Sequence, residues 1–361
     1  MACHINEILS SIMMETAAII SAADSRPRSD QAAIALIIDL DGFVRPGAFG
    51  AADKRHEAVM IALIALKPPA TGFFRVTGHG IEPRVLENAR AAIYAFENAP
   101  ATNHEAAKPP VGTVGFRGFS ERETEKTGAL YNASEERNDS CSCFSMGPSD
   151  DGQRFEPNIF PEQAGFQETL EELYAAFDIL DASLYALFNA TLHGEPSDEM
   201  LKITASGDRK GLLRTKHYAP RSDEREQMAG HADVTCFTIL HTDEPGLEIA
   251  TRVDDGSSGS PAFEWRRAPP LEPGELFVNT GEVIRAISND RFSSCVHRVG
   301  RGDPTKARLS VAFFSAACVA RGFEEPLLQP VIESTDEPVK FPPWRMEDFI
   351  NYTISCMKGQ A

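Results

Sequence analysis

The chain has 361 residues, 42% of them apolar and 24% charged, enough to bury a substantial core in one large domain or two modest ones. Its formal net charge of −18 argues against binding a nucleic-acid backbone or an anionic membrane, and says little about small substrates, because one buried pocket can be locally basic. The seven cysteines (Cys3, Cys141, Cys143, Cys236, Cys295, Cys318, Cys356) are odd in number and form no CxxC pair, which suits free thiols in a reducing, cytoplasmic compartment.

In chain order, MACHINEILSSIMMETAAIISAA lacks a basic flank and carries Glu7 and Glu15, so it reads as a leader helix or loose tail rather than a signal peptide. Residues 24–32 read as a polar linker. AIALIIDLDGF, 33–43, predicts a buried strand, 51–67 a helix, GFFRVTGHGI, 72–81, a second strand, and 84–99 another helix. Residues 100–160, rich in Gly, Pro, Ser and charge, predict a long irregular loop; its acidic part, 121–139, predicts a solvated face. Leu170, Leu173, Phe177, Leu180, Leu184 and Leu187 then recur at helical steps and predict a long helix that packs on a core.

From 211 the texture becomes β. Seven short segments follow (LLRTKHYAP, CFTILHT, GLEIATR, AFEWRRA, GELFVNTG, SSCVHRVG, ARLSVAFFSA) with no helix expected between them, which suggests an antiparallel sandwich or barrel. The expected organisation is a leader over 1–32, an N-terminal α/β region with an active-site loop and supporting helix over 33–210, a β core over 211–320 and a C-terminal arm over 321–361, together one catalytic domain. No segment has the length of uninterrupted apolar residues that a membrane span needs. A monomer or weak homo-oligomer is expected.

The chemistry gathers in GHADVTCFTIL, 230–240. On a β-prone segment His231 and Asp233, two apart, point one way. CVHRVG supplies His297 from a later strand. Two imidazoles and one carboxylate on one face of a metal make a 2-His-1-carboxylate triad, a donor set suited to Fe(II) with open positions left for a cosubstrate and dioxygen. A structural zinc site would instead be closed by four protein ligands. Beyond His297, Arg308 and Ser310 alternate onto one strand face. A guanidinium fork and a hydroxyl form a carboxylate clamp.

In combination these motifs resemble the iron and 2-oxoglutarate dependent dioxygenases of the isopenicillin N synthase-like superfamily. HAD…CVHRV…ARLSVAFF, IIDLDGF, TGFFRVTGHGI, LLRTKHYAP and GELFVNTGEVIRAISNDRFSSCVHRV each match a segment of that family, over roughly residues 34–357. The resemblance implies a mainly β fold with helices, a double-stranded β-helix (jelly-roll) core carrying a long supporting helix. It implies that Fe(II) sits on His231, Asp233 and His297, and that 2-oxoglutarate, used with O2, sits on Arg308, Ser310 and Tyr218. The loop GFRGFSERETEKTG…CSCFSMG resembles the penicillin-ring expandases (deacetoxycephalosporin C synthases). Ser315-Ala316-Ala317 departs from their Arg-Pro pair. Lys216, Phe314, Phe116 and Phe119 are the candidate substrate contacts, and the loop 111–147 and the arm after 340 the candidate lid. The implied activity is oxidation of an unactivated C–H bond of a small metabolite, by hydroxylation, desaturation, ring expansion or oxidative cyclisation. A 2-oxoglutarate-independent oxidase and a non-catalytic module on the same fold stay open as alternatives.

Overall fold

The computed structural model describes residues 2–26, 31–110, 116–131, 137–148, 156–193, 211–222, 225–253, 262–315 and 329–345 other than 333, 335 and 342, with side chains from Met13 onward. In chain order the elements are α1 (Ala2–Asp24), β1 (Leu36–Asp39), α2 (Asp41–Val44), α3 (Ala51–Leu66), β2 (Phe73–Thr77), α4 (Pro83–Glu97), α5 (Ala101–Ala106), β3 (Gly118–Ser120), a 3-10 turn (Thr127–Leu130), β4 (Cys141–Met146) and α6 (Phe166–His193). The β-rich half follows as β5 (Leu212–Tyr218), β6 (Met228–His231), β7 (Phe237–Thr242), β8 (Leu247–Val253), β9 (Ala262–Arg267), β10 (Leu276–Thr280), α7 (Glu282–Ile287), β11 (His297–Val299) and β12 (Arg308–Phe314).

The strands form two sheets, an eight-stranded one in the order β1-β2-β10-β7-β12-β5-β4-β3 and a four-stranded one in the order β6-β11-β8-β9. Among the described strands β1 and β2 pair in parallel and the other ladders are antiparallel. This is the expected mainly β jelly roll, with α3, α4 and α6 packed together on one side of the large sheet. Alternation along β12 shows how the sequence builds it. Leu309, Val311 and Phe313 face α6, where Phe313 meets Tyr174 and Phe177. Ala312 and Phe314 face inward, toward Ile249 and Leu247 of the small sheet. The periodic residues of α6 (Leu170, Leu173, Phe177, Leu180, Leu184, Leu187) are all fully buried, as their spacing predicts.

The described residues also differ from expectation in places. α7 interrupts the β run between β10 and β11, where every residue of EVIRAI is buried, Val283, Ile284, Ala286 and Ile287 in the core and Glu282 paired with Arg285. The supposed irregular region holds β3 and β4, and every residue of β4 is buried. In its acidic part Glu121, Glu123 and Arg137 are exposed as expected, whereas Glu125 and Asp139 are buried and partnered. At the N-terminus, α1 lies on the outer face of the small sheet. Ile19, Ile20 and Ala23 pack against Ala250, Trp265 and Val296 there, and Asp24 accepts hydrogen bonds from Trp265 and Arg298. Among the described residues no helix is long and apolar enough to cross a membrane. In the arm, Phe341 and Trp344 are buried in the main core; Phe349, Ile350 and Tyr352 lie outside the described residues.

Candidate active site

β6 and β11 pair antiparallel, and their register sets His231 directly opposite His297. The two rings stand 4.3 Å apart, centroid to centroid. β6 ends at His231, so Asp233 is not on the same strand. It lies in the turn that leads to β7, which swings its carboxylate back toward both rings. Asp233 Oδ1 is 3.7 Å from His231 Nε2 and 3.9 Å from His297 Nε2. The three donor atoms all lie within 4.8 Å of one another, and among the described residues this is the one cluster of three such donors.

Each donor is aimed by a neighbour. His231 Nδ1 lies 2.9 Å from the Ala229 carbonyl, and His297 Nδ1 3.1 Å from that of Cys295. A carbonyl only accepts, so Nδ1 carries the proton and the Nε2 lone pair faces the shared space. Asp233 Oδ2 accepts hydrogen bonds from Thr238 (2.6 Å) and Asn279 (2.8 Å), which leaves Oδ1 for a cation. Burial and the facing His297 push the His231 imidazole down to about 3, so it is neutral and ready to ligate at pH 7. Burial works against the Asp233 carboxylate, but the two imidazoles and the two hydrogen bonds outweigh it, and its pKa falls below the ordinary value. Two imidazole nitrogens and one carboxylate oxygen within 4.8 Å of one another make a donor set that fits one divalent cation with open positions.

The clamp residues occupy matching rows of the large sheet. Arg308 pairs across to Tyr218, and Ser310 to Lys216. The guanidinium lies 5.2 Å from the centre of the Tyr218 ring, and its Nε donates to the Glu244 carbonyl. Its Nη1 is buried without any hydrogen-bond partner. A buried guanidinium nitrogen left unpaired is costly, and a ligand carboxylate is the partner that satisfies it. The expected cosubstrate therefore fits what is present.

The comparisons with known proteins agree. The model for the 2OG-Fe(II) oxygenase superfamily matches residues 209–317, and one for the N-terminal region of the non-haem dioxygenases of morphine synthesis matches residues 37–163. A clavatol oxidase of Penicillium crustosum is 30% identical over 306 residues, 77% of this chain and 84% of that protein. The chain belongs to the 2OG-Fe(II) oxygenase superfamily. Gibberellin 2-beta-dioxygenase 2 of Arabidopsis thaliana, another relative of this oxygenase, is 26% identical, with 67% of each protein covered. The fold also matches that of a full-length Neurospora crassa protein solved in complex with alpha-KG, with a TM-score of 0.71 at 19% identity over 91% of this chain and 98% of that one. Iron and 2-oxoglutarate are thus the cofactors of this oxygenase. When bound, they supply the oxidation; the chain's residues bind, orient and exclude water.

The candidate substrate contacts separate. Phe314 is half-buried on the inward face of β12, directly opposite Thr238, the partner of Asp233. Phe116 is half-buried beneath the Arg214 guanidinium, 4.1 Å from it. Phe119 is in a different place from the expected one. It stacks on His104 and meets Phe96 edge-on, within the core that the helices cover. Phe144, on the paired strand, packs in the same cluster, because both side chains stand on the helix side of the sheet. Lys216 is buried on the inward face of β5. The hydrogen-bond partner of its Nζ is the Met228 thioether at 3.5 Å, and no carboxylate among the described residues pairs with it.

Several residues escaped the sequence reading. Arg214 is buried and bridges Ser145 and Glu125, the latter at 2.6 Å. An arginine within a strand whose residues are nearly all buried is a signal, since a buried charge needs a counter-charge. Asn279 in LFVNT is a similar signal, a polar residue in an otherwise apolar strand. Tyr131 donates to the Ala232 carbonyl at 2.6 Å, tying the long loop to the turn between His231 and Asp233. Nothing local in the sequence marks that contact.

Proposed function

We propose that His231, Asp233 and His297 hold the iron, that Arg308 and Ser310 with Tyr218 grip the far carboxylate of 2-oxoglutarate, and that the enzyme oxidises an unactivated C–H bond of a small, largely apolar metabolite carrying an acidic or carbonyl group. Its setting is secondary-metabolite biosynthesis, in a reducing compartment. The observation that carries the substrate class is Lys216. Among the described residues its Nζ has only a thioether within hydrogen-bond reach, with the Glu125 and Asp139 carboxylates acting on it from longer range, and an anionic or carbonyl oxygen is the partner that completes its shell. Phe314 and Phe116 supply an apolar surround on the same side of the large sheet. The tie from Tyr131 to Ala232 supports a loop that closes over the metal and keeps water out.

The test is a panel of small acids, each with its neutral ester or amide, screened for substrate-dependent succinate release. Release with an acid and weaker release with its ester supports the reading. The Lys216→Met variant then places the contact: a raised KM for the substrate alone assigns Lys216 to the substrate, and a raised KM for 2-oxoglutarate alone moves it to the cosubstrate and overturns the substrate class. Substrate oxidation without any succinate would overturn the dioxygenase assignment in favour of a 2-oxoglutarate-independent oxidase.

A further inference from the structure

β4 places two thiols in the wall beside the clamp. Cys141 and Cys143 are two residues apart on one strand, so their side chains share a face. Both are buried and in no disulfide, and their sulfurs share a hydrogen bond at 3.7 Å. Cys141 lies opposite Tyr218, which lies opposite Arg308; Cys143 lies opposite Lys216, which lies opposite Ser310. The thiols therefore continue the two rows that end in the clamp. Met228 joins them in one buried cluster with Tyr218 and Val299. Neither thiol has a part in the proposed oxidation.

We propose that Cys141 and Cys143, with the Met228 thioether, form a second metal site that takes one thiophilic cation, Cu(I) by preference, and that its occupation hinders 2-oxoglutarate binding. Two of three sulfurs arranged about one ion at about 2.3 Å stand roughly 4.0 Å apart. The thiols are already 3.7 Å apart, so binding needs little movement of β4. Thiolate and thioether donors select Cu(I), whereas the nitrogen and oxygen donors of the triad do not. The two sites thus sort cations by softness. Uptake changes no oxidation state: the ion enters as Cu(I), and the two thiol protons leave to solvent. The hydrogen bond with Cys141, together with burial, pushes the Cys143 thiol well above its ordinary value, so the cation must displace a firmly held proton and copper affinity rises with pH. Two thiolates around one Cu(I) leave net negative charge beside the pocket that must accept a dianion. That charge competes for Lys216 and repels the incoming carboxylates. This second half of the proposal rests on the clamp reading of Arg308 and Ser310.

The experiment is an anaerobic competition between the full-length, iron-loaded protein and a chromophoric Cu(I) chelator. The wild type should withdraw one Cu(I) per chain and keep its iron. Cys141→Ser and Cys143→Ser should each lose that copper, Cys236→Ser should keep it, and Met228→Leu, which conserves volume, should bind more weakly. Thermal melts confirm that each variant is folded. X-ray absorption of the copper should show a shell of sulfur alone. No copper withdrawn by the wild type, or undiminished withdrawal by folded Cys143→Ser, overturns the site. Calorimetry of 2-oxoglutarate with and without Cu(I) tests the inhibition: reduced affinity supports it, and unchanged affinity with sulfur-bound copper overturns it. Failure of the copper-free protein to bind 2-oxoglutarate would instead overturn the clamp reading.

Discussion

His231 and His297 are direct cross-strand neighbours in the β6–β11 ladder, with their Nε2 atoms turned to one side and Asp233 Oδ1 within 3.9 Å of both. Each comes from a different strand, and the carboxylate from a turn. The sheet therefore holds the two imidazoles rigidly, while Thr238 and Asn279 hold the carboxylate that the turn alone would leave free. Asp233→Ala should lose iron and turnover together, since it removes the anionic donor. Metal analysis after gel filtration checks this, and full iron content in the variant would refute the ligand set.

The hydrogen bonds behind Asp233 make a finer prediction. Thr238→Val keeps volume and removes one of the two donors to Oδ2. Loss of such a supporting contact typically weakens metal affinity by roughly 10- to 100-fold. Iron titration against a competing chelator should show this fall with the fold intact; unchanged affinity would mean that Asn279 alone orients the carboxylate.

Arg308→Lys keeps the charge and loses the planar fork. Losing a charge-assisted hydrogen bond costs about 1.5–3 kcal/mol, so 2-oxoglutarate affinity should fall roughly 10- to 150-fold. Iron content should stay unchanged. Equal 2-oxoglutarate affinity in wild type and variant would place the carboxylate elsewhere.

Acid should destabilise the metal-free protein. Burial and the facing His297 hold His231 at a pKa of about 3 in the fold, below its ordinary value of 6.5. The unfolded chain therefore takes up this proton first as pH falls. The contribution is complete above about pH 6.5 and is lost at about 1.4 kcal/mol per pH unit on the way down toward pH 3. Urea unfolding between pH 7 and pH 4 should show that slope, and His231→Gln should flatten it. Identical slopes would assign the acid sensitivity to another group.

The Glu125–Arg214 pair ties the long loop to β5 at 2.6 Å, with both side chains buried. Glu125→Ala leaves the guanidinium unpaired inside the fold and should cost about 3–5 kcal/mol. Glu125→Leu combined with Arg214→Met should recover most of that. Chemical denaturation of the three variants decides it; a double variant no better than the single one would mean that the loop needs the ion pair itself.

Trp344 is buried in the main core, so the described part of the arm is a packing element. Trp344→Ala should cost about 3–5 kcal/mol of stability. A variant with unchanged melting but more 2-oxoglutarate consumed per substrate oxidised would restore the arm to a gating role.

Much of this molecule could be read from local pattern. The helical spacing from Leu170 to Leu187 reports which side of α6 is buried, whatever it packs on. Alternation places Arg308 and Ser310 on one face of β12 wherever that strand lies. Residue chemistry points to the metal, since two imidazoles and a carboxylate near a guanidinium have few other uses together. What stayed hidden depends on register between segments far apart in the chain. The pairing of β6 with β11 decides that His231 meets His297, and the end of β6 at His231 decides that Asp233 returns by a turn rather than along the strand. The same physics explains Phe119, Glu125 and Asp139. Composition made the first a pocket residue and the other two part of a solvated face, but β3 pairs its phenylalanine toward α4, and the fold sets Glu125 against Arg214 and Asp139 against Thr127. Periodicity describes one element at a time, whereas burial and charge pairing belong to the neighbours that only the assembled sheets bring together.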